Sequence, residues 1–128
     1  MVYNDIMKMA TAMICEHVGM ATTSDYTDRG PYIIASFTSQ YKRLDRSYRK
    51  AYQMDPVTYP DKASVSLSDP FPFVDDLIPA AIYYLAAMLL LDENDELSDK
   101  LMDMHTDCVA SLAASLPFAS ERIVQKYE

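Results

Sequence analysis

Apolar residues recur at helical intervals in four stretches of the chain, separated by polar or proline-rich segments. In the first stretch Ile6, Met9, Met13 and His17 fall at three- and four-residue steps, with Ala10 and Ile14 widening the stripe. Asn4 offers an N-cap and Gly19 a left-handed residue past the end, which predicts a helix over 4–18. Residues 20–30, MATTSDYTDRG, are polar and rich in turn formers and predict a loop. Pro31 then suits the first position of a helix. Behind it Ile34, Phe37, Tyr41, Leu44, Tyr48 and Ala51 alternate in steps of three and four, predicting a helix over 31–53 with one face toward a core.

Pro56, Pro60 and Pro70 exclude a continuous helix through the next stretch. Val57 and Tyr59, then Val65 and Leu67, alternate with polar residues around Pro60-Asp61-Lys62, a pattern shared by a short β-hairpin and an extended loop. Asp75 and Asp76 carry carboxylates suited to a helix start, and Pro79 follows within the first turn. From Leu77 to Leu91 the sequence LIPAAIYYLAAMLLL is apolar on every side, so this helix must be surrounded by partners. An acidic turn, DENDE, follows at 92–96, with Asn94 placed to cap a fourth helix. Leu97, Leu101, Met104, Cys108 and Leu112 mark the face of that helix, which runs to about residue 115 before Pro117 ends it.

The pattern therefore predicts an all-α fold. It is a small bundle of about four helices, with a Pro-rich loop or short β-hairpin between helices 2 and 3 and a C-terminal tail. One domain covers 1–128, divided into a bundle over 1–116 and a tail over 117–128. The tail carries Phe118, Ile123, Val124 and Tyr127, four large apolar groups on a segment too short to bury them by itself.

Composition narrows the function classes. Two glycines against ten tyrosines and nine methionines leave little material for Gly-rich phosphate loops, and neither a G-x-G-x-x-G nor a P-loop occurs. Nineteen acids against eleven bases give a net charge of −8, the wrong sign for non-specific nucleic-acid binding. Two cysteines are too few for a disulfide scaffold. The opening MVYNDIMKMA has no basic n-region or continuous apolar run, so no signal peptide is expected, and the apolar run at 77–91 is too short for a membrane span.

Candidate chemistry is sparse. Cys15, His17, His105 and Cys108 add up to a Cys₂His₂ set, but two residues on a helix rotate by about 200°, so Cys15 and His17 diverge. The DENDE run lacks the glycine of a calcium loop at the position held by Leu97. No nucleophile elbow or triad can be assembled from two histidines. Neither an enzyme, a metal nor a cofactor is called for.

What stands out is a basic stripe on the second helix: Lys42, Arg46, Arg49 and Lys50 share one side. Asp45 alone is an inadequate local partner for four cations. The stripe reads either as a solvated face paired with acids of other helices or as a contact with an acidic partner surface. Because it lies off the apolar seam, reversal of Arg46 and Arg49 is expected to leave the fold intact.

Three stretches resemble the head–tail connector (neck adaptor) proteins of tailed phages and prophages. VYNDIMKMATAMICEH is similar to that family's first helix. The segment LSDPFPFVDDLIPAAIYYLAAMLLLDENDELSDKL resembles its Pro-rich entry, its P-x-x-x-x-Y-L-A-A buried helix and its acidic turn. ERIVQKYE is similar to its R-I-x-x-x-Y tail. The three together cover about half of the chain, and residues 20–69 depart most from the family. The resemblance implies a structural virion protein of the neck, held in the host cytoplasm before assembly. Its subunits would form a ring, commonly of twelve, between the portal protein and a tail or stopper protein, with DNA only passing through the lumen and no membrane contact. It makes the basic stripe and the tail residues Phe118, Ile123, Val124 and Tyr127 candidate assembly contacts. The rival reading is a free-standing acidic helical module that engages a protein partner.

Overall fold

A computed structural model describes residues 1–18, 23–61, 63–91 and 93–116 of the chain. Among them are four α-helices and no strand: α1 (Tyr3–Val18), α2 (Thr23–Ala51), α3 (Ile78–Leu89) and α4 (Asp95–Ala114), with a single 3₁₀ turn at Asp75–Leu77 leading into α3. The all-α bundle expected from periodicity is the fold of the described residues, and none of their helices is long and apolar enough to cross a membrane. The tail residues Phe118, Ile123, Val124 and Tyr127, and the proposed cap Gly19, lie outside the described residues.

α3 is the central element and packs against each of the other three helices. Its residues Ala81, Leu85, Ala86 and Leu89 are buried to within 1% of complete enclosure, but the expected enclosure on every side is incomplete: Ile78, Ile82, Tyr83 and Met88 are half-buried, and Pro79 and Leu91 are exposed. Pro79 falls in its first turn, where a missing N–H costs no intrahelical bond. The turn into α4 ends at Asn94, whose side chain accepts from the Leu97 N–H at 3.1 Å, the expected cap.

Helix α1 starts one residue earlier than Asn4 capping predicts. The Asp5 carboxylate accepts from the Val2 N–H at 2.9 Å, while the N–H groups of Tyr3 and Asn4 donate to the carbonyls of Asp69 and Leu67. The Pro-rich segment thus satisfies the orphan donors of this helix end.

The largest departure lies at the start of α2. Residues 23–30, expected as loop, are helical, and Pro31 is inside the helix. Tertiary contacts outweigh the local turn signals. Tyr26 is fully buried with its hydroxyl donating to Glu93 at 2.5 Å, and Arg29 donates to the Leu89 carbonyl at 2.9 Å. Gly30 lets α1 and α2 approach, since a Cβ there would lie 2.3 Å from Met7 Sδ. At the other end Gln53 adopts φ of 55°, and Met54 and Gln53 donate back to the carbonyls of Arg49 and Lys50, closing a Schellman motif.

The segment after α2 forms no hairpin: the described part of 52–74 contains no strand, and the isolated bridge there pairs Val2 with Pro70. It is the irregular Pro-rich loop of the two alternatives, largely exposed but anchored in the core by a few side chains. Tyr59, Val65, Phe71, Phe73 and Val74 are buried, and Phe71 and Phe73 stack 5.2 Å apart between Tyr3 and Phe37. On α4 the buried face runs through Ser98, Leu101, His105 and Leu112, whereas Met104, expected on that face, is 44% exposed. Ser98 turns inward because its hydroxyl donates to the Ala87 carbonyl at 2.7 Å.

Candidate functional site

The last two turns of α2 and the first residues of the Pro-rich segment enclose a cleft of about 290 Å³. Arg46, Arg49 and Lys50 form its cationic side, and Met54, Pro56, Val57 and Tyr59 its apolar side. Three of the four stripe residues meet here. Lys42 lies one turn earlier on the same helix side, half-exposed.

The stripe is not uniform. Arg49 is drawn inward: its Nε donates to Asp45 Oδ2 at 2.8 Å, and its other nitrogens donate to the carbonyls of Pro72 at 2.7 Å and Asp55 at 3.2 Å. Asp45 is completely buried and accepts two further bonds, from the Val74 N–H at 2.8 Å and from the Tyr59 hydroxyl. A buried carboxylate with three donors, one of them a guanidinium, is a satisfied group that fastens the Pro-rich segment to α2. Burial works against the Arg49 charge, but the bond and charge of Asp45 outweigh it and leave its pKa raised. Burial, then Asp45, push the Tyr59 hydroxyl well above its ordinary value, so it stays a donor.

This geometry bears on two expectations and corrects one of them, that reversal of Arg49 leaves the fold intact. Asp45 pairs with one of the four cations, Arg49, which agrees with its being too little for the whole stripe. Reversal of Arg49 would also set a second carboxylate against buried Asp45, so it cannot leave the fold undisturbed. Arg46 differs: it is exposed, with its guanidinium carbon 5.2 Å from the centre of the Tyr59 ring.

The seam read from the sequence runs through Leu44 and misses the buried role of Asp45, although the spacing of Asp45 between Tyr41 and Tyr48 and its place four residues before Arg49 were a signal for it. Tyr59 carried no such signal. Its place over the stripe depends on a return of the chain that no local pattern encodes.

Beyond the cleft, Tyr48 donates to Asp76 at 2.7 Å, and that bond lifts its hydroxyl to a pKa of about 12. A second groove runs on from Asp75 and Asp76 to Asp107, Cys108 and Leu112. The surface thus changes from basic to acidic across the Tyr48–Asp76 bond. His105 belongs to neither: it is buried, and its two ring nitrogens meet the Tyr41 hydroxyl at 2.7 Å and the Ala80 carbonyl at 2.8 Å. The side chains of Cys15 and His17 lie outside the described residues.

What the cleft can do is bind. Cations beside an apolar wall suit a surface that is both acidic and apolar. No family model, curated protein or solved structure matches the chain.

Proposed function

We propose that the chain is a structural virion protein of the head–tail connector kind. Its copies assemble beneath a portal protein and hold a tail or stopper protein, and DNA passes through the lumen. The observation that carries this reading is the P-x-x-x-x-Y-L-A-A stretch, Pro79 to Ala87. Its Tyr84, Leu85, Ala86 and Ala87 are buried in the central helix, the place that the resemblance assigns to them. The net charge of −8 supports it further, because an acidic ring does not hold the DNA it conducts. In this reading the basic stripe and the tail residues Phe118, Ile123, Val124 and Tyr127 are assembly contacts, and the protein works in the virion neck without catalysing a reaction.

The test is deletion of the coding sequence from its native genome, followed by electron microscopy of the particles. The expected result is DNA-filled heads and separate tails, with joining restored by the full chain but not by one truncated after Leu116. Normal joined particles from the deletion overturn the reading.

A second reading is favoured by the cleft itself, whose cationic and apolar sides are complete within one chain. It makes the protein a free-standing acidic module that engages a protein partner. A monomer that stays out of purified virions and co-purifies with one stoichiometric partner supports it against the first.

A further inference from the structure

Two charged rows on this molecule have the same repeat. On α2, Lys42, Arg46 and Lys50 stand at four-residue steps on the outer side of the helix. On α4, Asp99, Asp103 and Asp107 do the same, all exposed, with Glu96 one turn earlier on that face. Four residues of α-helix rise about 6 Å, so both rows space their charges by the same distance. Like charges at this interval repel one another along α4. Among the described residues no ion pair within 4 Å relieves the acidic row, and Lys100 is its one cationic neighbour on that face. Each row also has an exposed methionine near it: Met54, 43% exposed, at the cleft, and Met104, 44% exposed, next to Asp103 in sequence and one turn before Asp107.

The two rows cannot pair within one chain. The inner face of α4 is turned to the bundle through Leu101, His105 and Leu112, and His105 meets Tyr41 on the inner side of α2. Both charged rows therefore face outward on different helices, as the two halves of a head-to-tail contact do.

We propose that the basic row and cleft of α2 receive the acidic outer face of α4 from a second copy of this chain. Lys42, Arg46 and Lys50 lie opposite Asp99, Asp103 and Asp107, and the exposed methionines meet at the edge of the contact. The two surfaces differ, so each copy keeps one free half and the contact propagates, to a closed ring or an open filament according to its rotation. The inference deepens the connector reading by naming the surfaces through which neighbouring copies meet.

The experiment uses two variants of the full chain, Lys42→Glu/Arg46→Glu and Asp99→Lys/Asp103→Lys. None of the four pairs directly with Asp45, and Arg46 alone touches that group through the Tyr59 ring, so helical content and melting temperature serve as folding controls. Self-association is read by light scattering at low and physiological ionic strength. Contact sites are read by carbodiimide coupling of lysines to carboxylates in mixtures of isotope-labelled and unlabelled chains. The native chain is expected to associate more strongly at low salt and to give inter-copy links from Lys42 or Lys50 to the acidic row. Each variant alone should lose association by roughly a hundredfold, since like charges then face each other. A one-to-one mixture of the two should recover it in strict alternation, because both of its contacts again join opposite charges. Two results overturn the contact: a native chain without inter-copy links, or variants that assemble as the native chain does. Variants that assemble into normal rings overturn the contact and leave the connector reading standing. Recovery in the mixture, together with normal joining in the genomic deletion, upholds the contact and removes the connector reading.

Discussion

The hydroxyl of Tyr41 lies 2.7 Å from Nε2 of His105, and this bond ties α2 to α4 across the buried end of α3. The opposite nitrogen, Nδ1, faces the Ala80 carbonyl at 2.8 Å, and a carbonyl only accepts. Nδ1 therefore carries the proton, and neutral Nε2 accepts from Tyr41. Burial holds the imidazole below its ordinary pKa of 6.5, against the weaker opposing effect of the Ala80 bond.

This arrangement predicts a pH-dependent stability. In the unfolded chain His105 takes up its proton near 6.5, while in the folded chain it stays neutral to a lower pH. The unfolded state then binds more protons, so the stability held above about 6.5 is lost as the pH falls from there toward the folded pKa. Urea midpoints are expected to decrease between about pH 7 and about pH 5, and His105→Gln should flatten that slope. An unchanged slope in the variant would assign the effect to other groups.

Asp45 should be among the costliest positions in the fold. Asp45→Ala removes the acceptor of Arg49, Tyr59 and the Val74 N–H at once, and is expected to cost about 3 to 5 kcal/mol in urea unfolding. Arg49→Glu should be comparably damaging, while Arg46→Glu, at an exposed site, should cost no more than about 1 kcal/mol, the loss of its contact with the Tyr59 ring. Equal effects of the two reversals would mean that the buried pair contributes nothing.

Leu85 and Leu89 lie at 1% and 0% exposure in α3. Leu→Ala at either is expected to cost about 2 to 5 kcal/mol, the range for a cavity in a packed core. A cost below about 1 kcal/mol would show that α3 is not the centre of the bundle.

Gln53 is the one described residue other than glycine at positive φ, and it closes α2 in the left-handed conformation that glycine adopts without strain. Gln53→Gly is expected to raise stability by about 0.5 to 1 kcal/mol, the relief of strain exceeding the added freedom of the unfolded chain. A lower melting temperature in this variant would count against that closure.

The helices, their order and the central place of α3 were legible in the sequence, because each depends on a periodicity carried by its own residues. The apolar run LIPAAIYYLAAMLLL takes the central position that its composition calls for, although Pro79 and Leu91 stay exposed, and Asn94 caps α4 through a contact three residues away. The extension of α2 back through Pro31 was decided elsewhere. Tyr26 is held by Glu93 and Arg29 by Leu89, partners sixty or more positions distant whose contribution exceeds a local turn preference. The same holds for the Pro-rich segment: its prolines forbid helix, but only packing of Phe71 and Phe73 between Tyr3 and Phe37 anchors it in the core. That packing brings Tyr59 and Val74 to Asp45, and so divides the basic stripe into a buried structural arginine and an exposed row. Spacing placed the four cations on one side of a helix; which of them faces solvent was settled by a chain segment that returns from outside the helix.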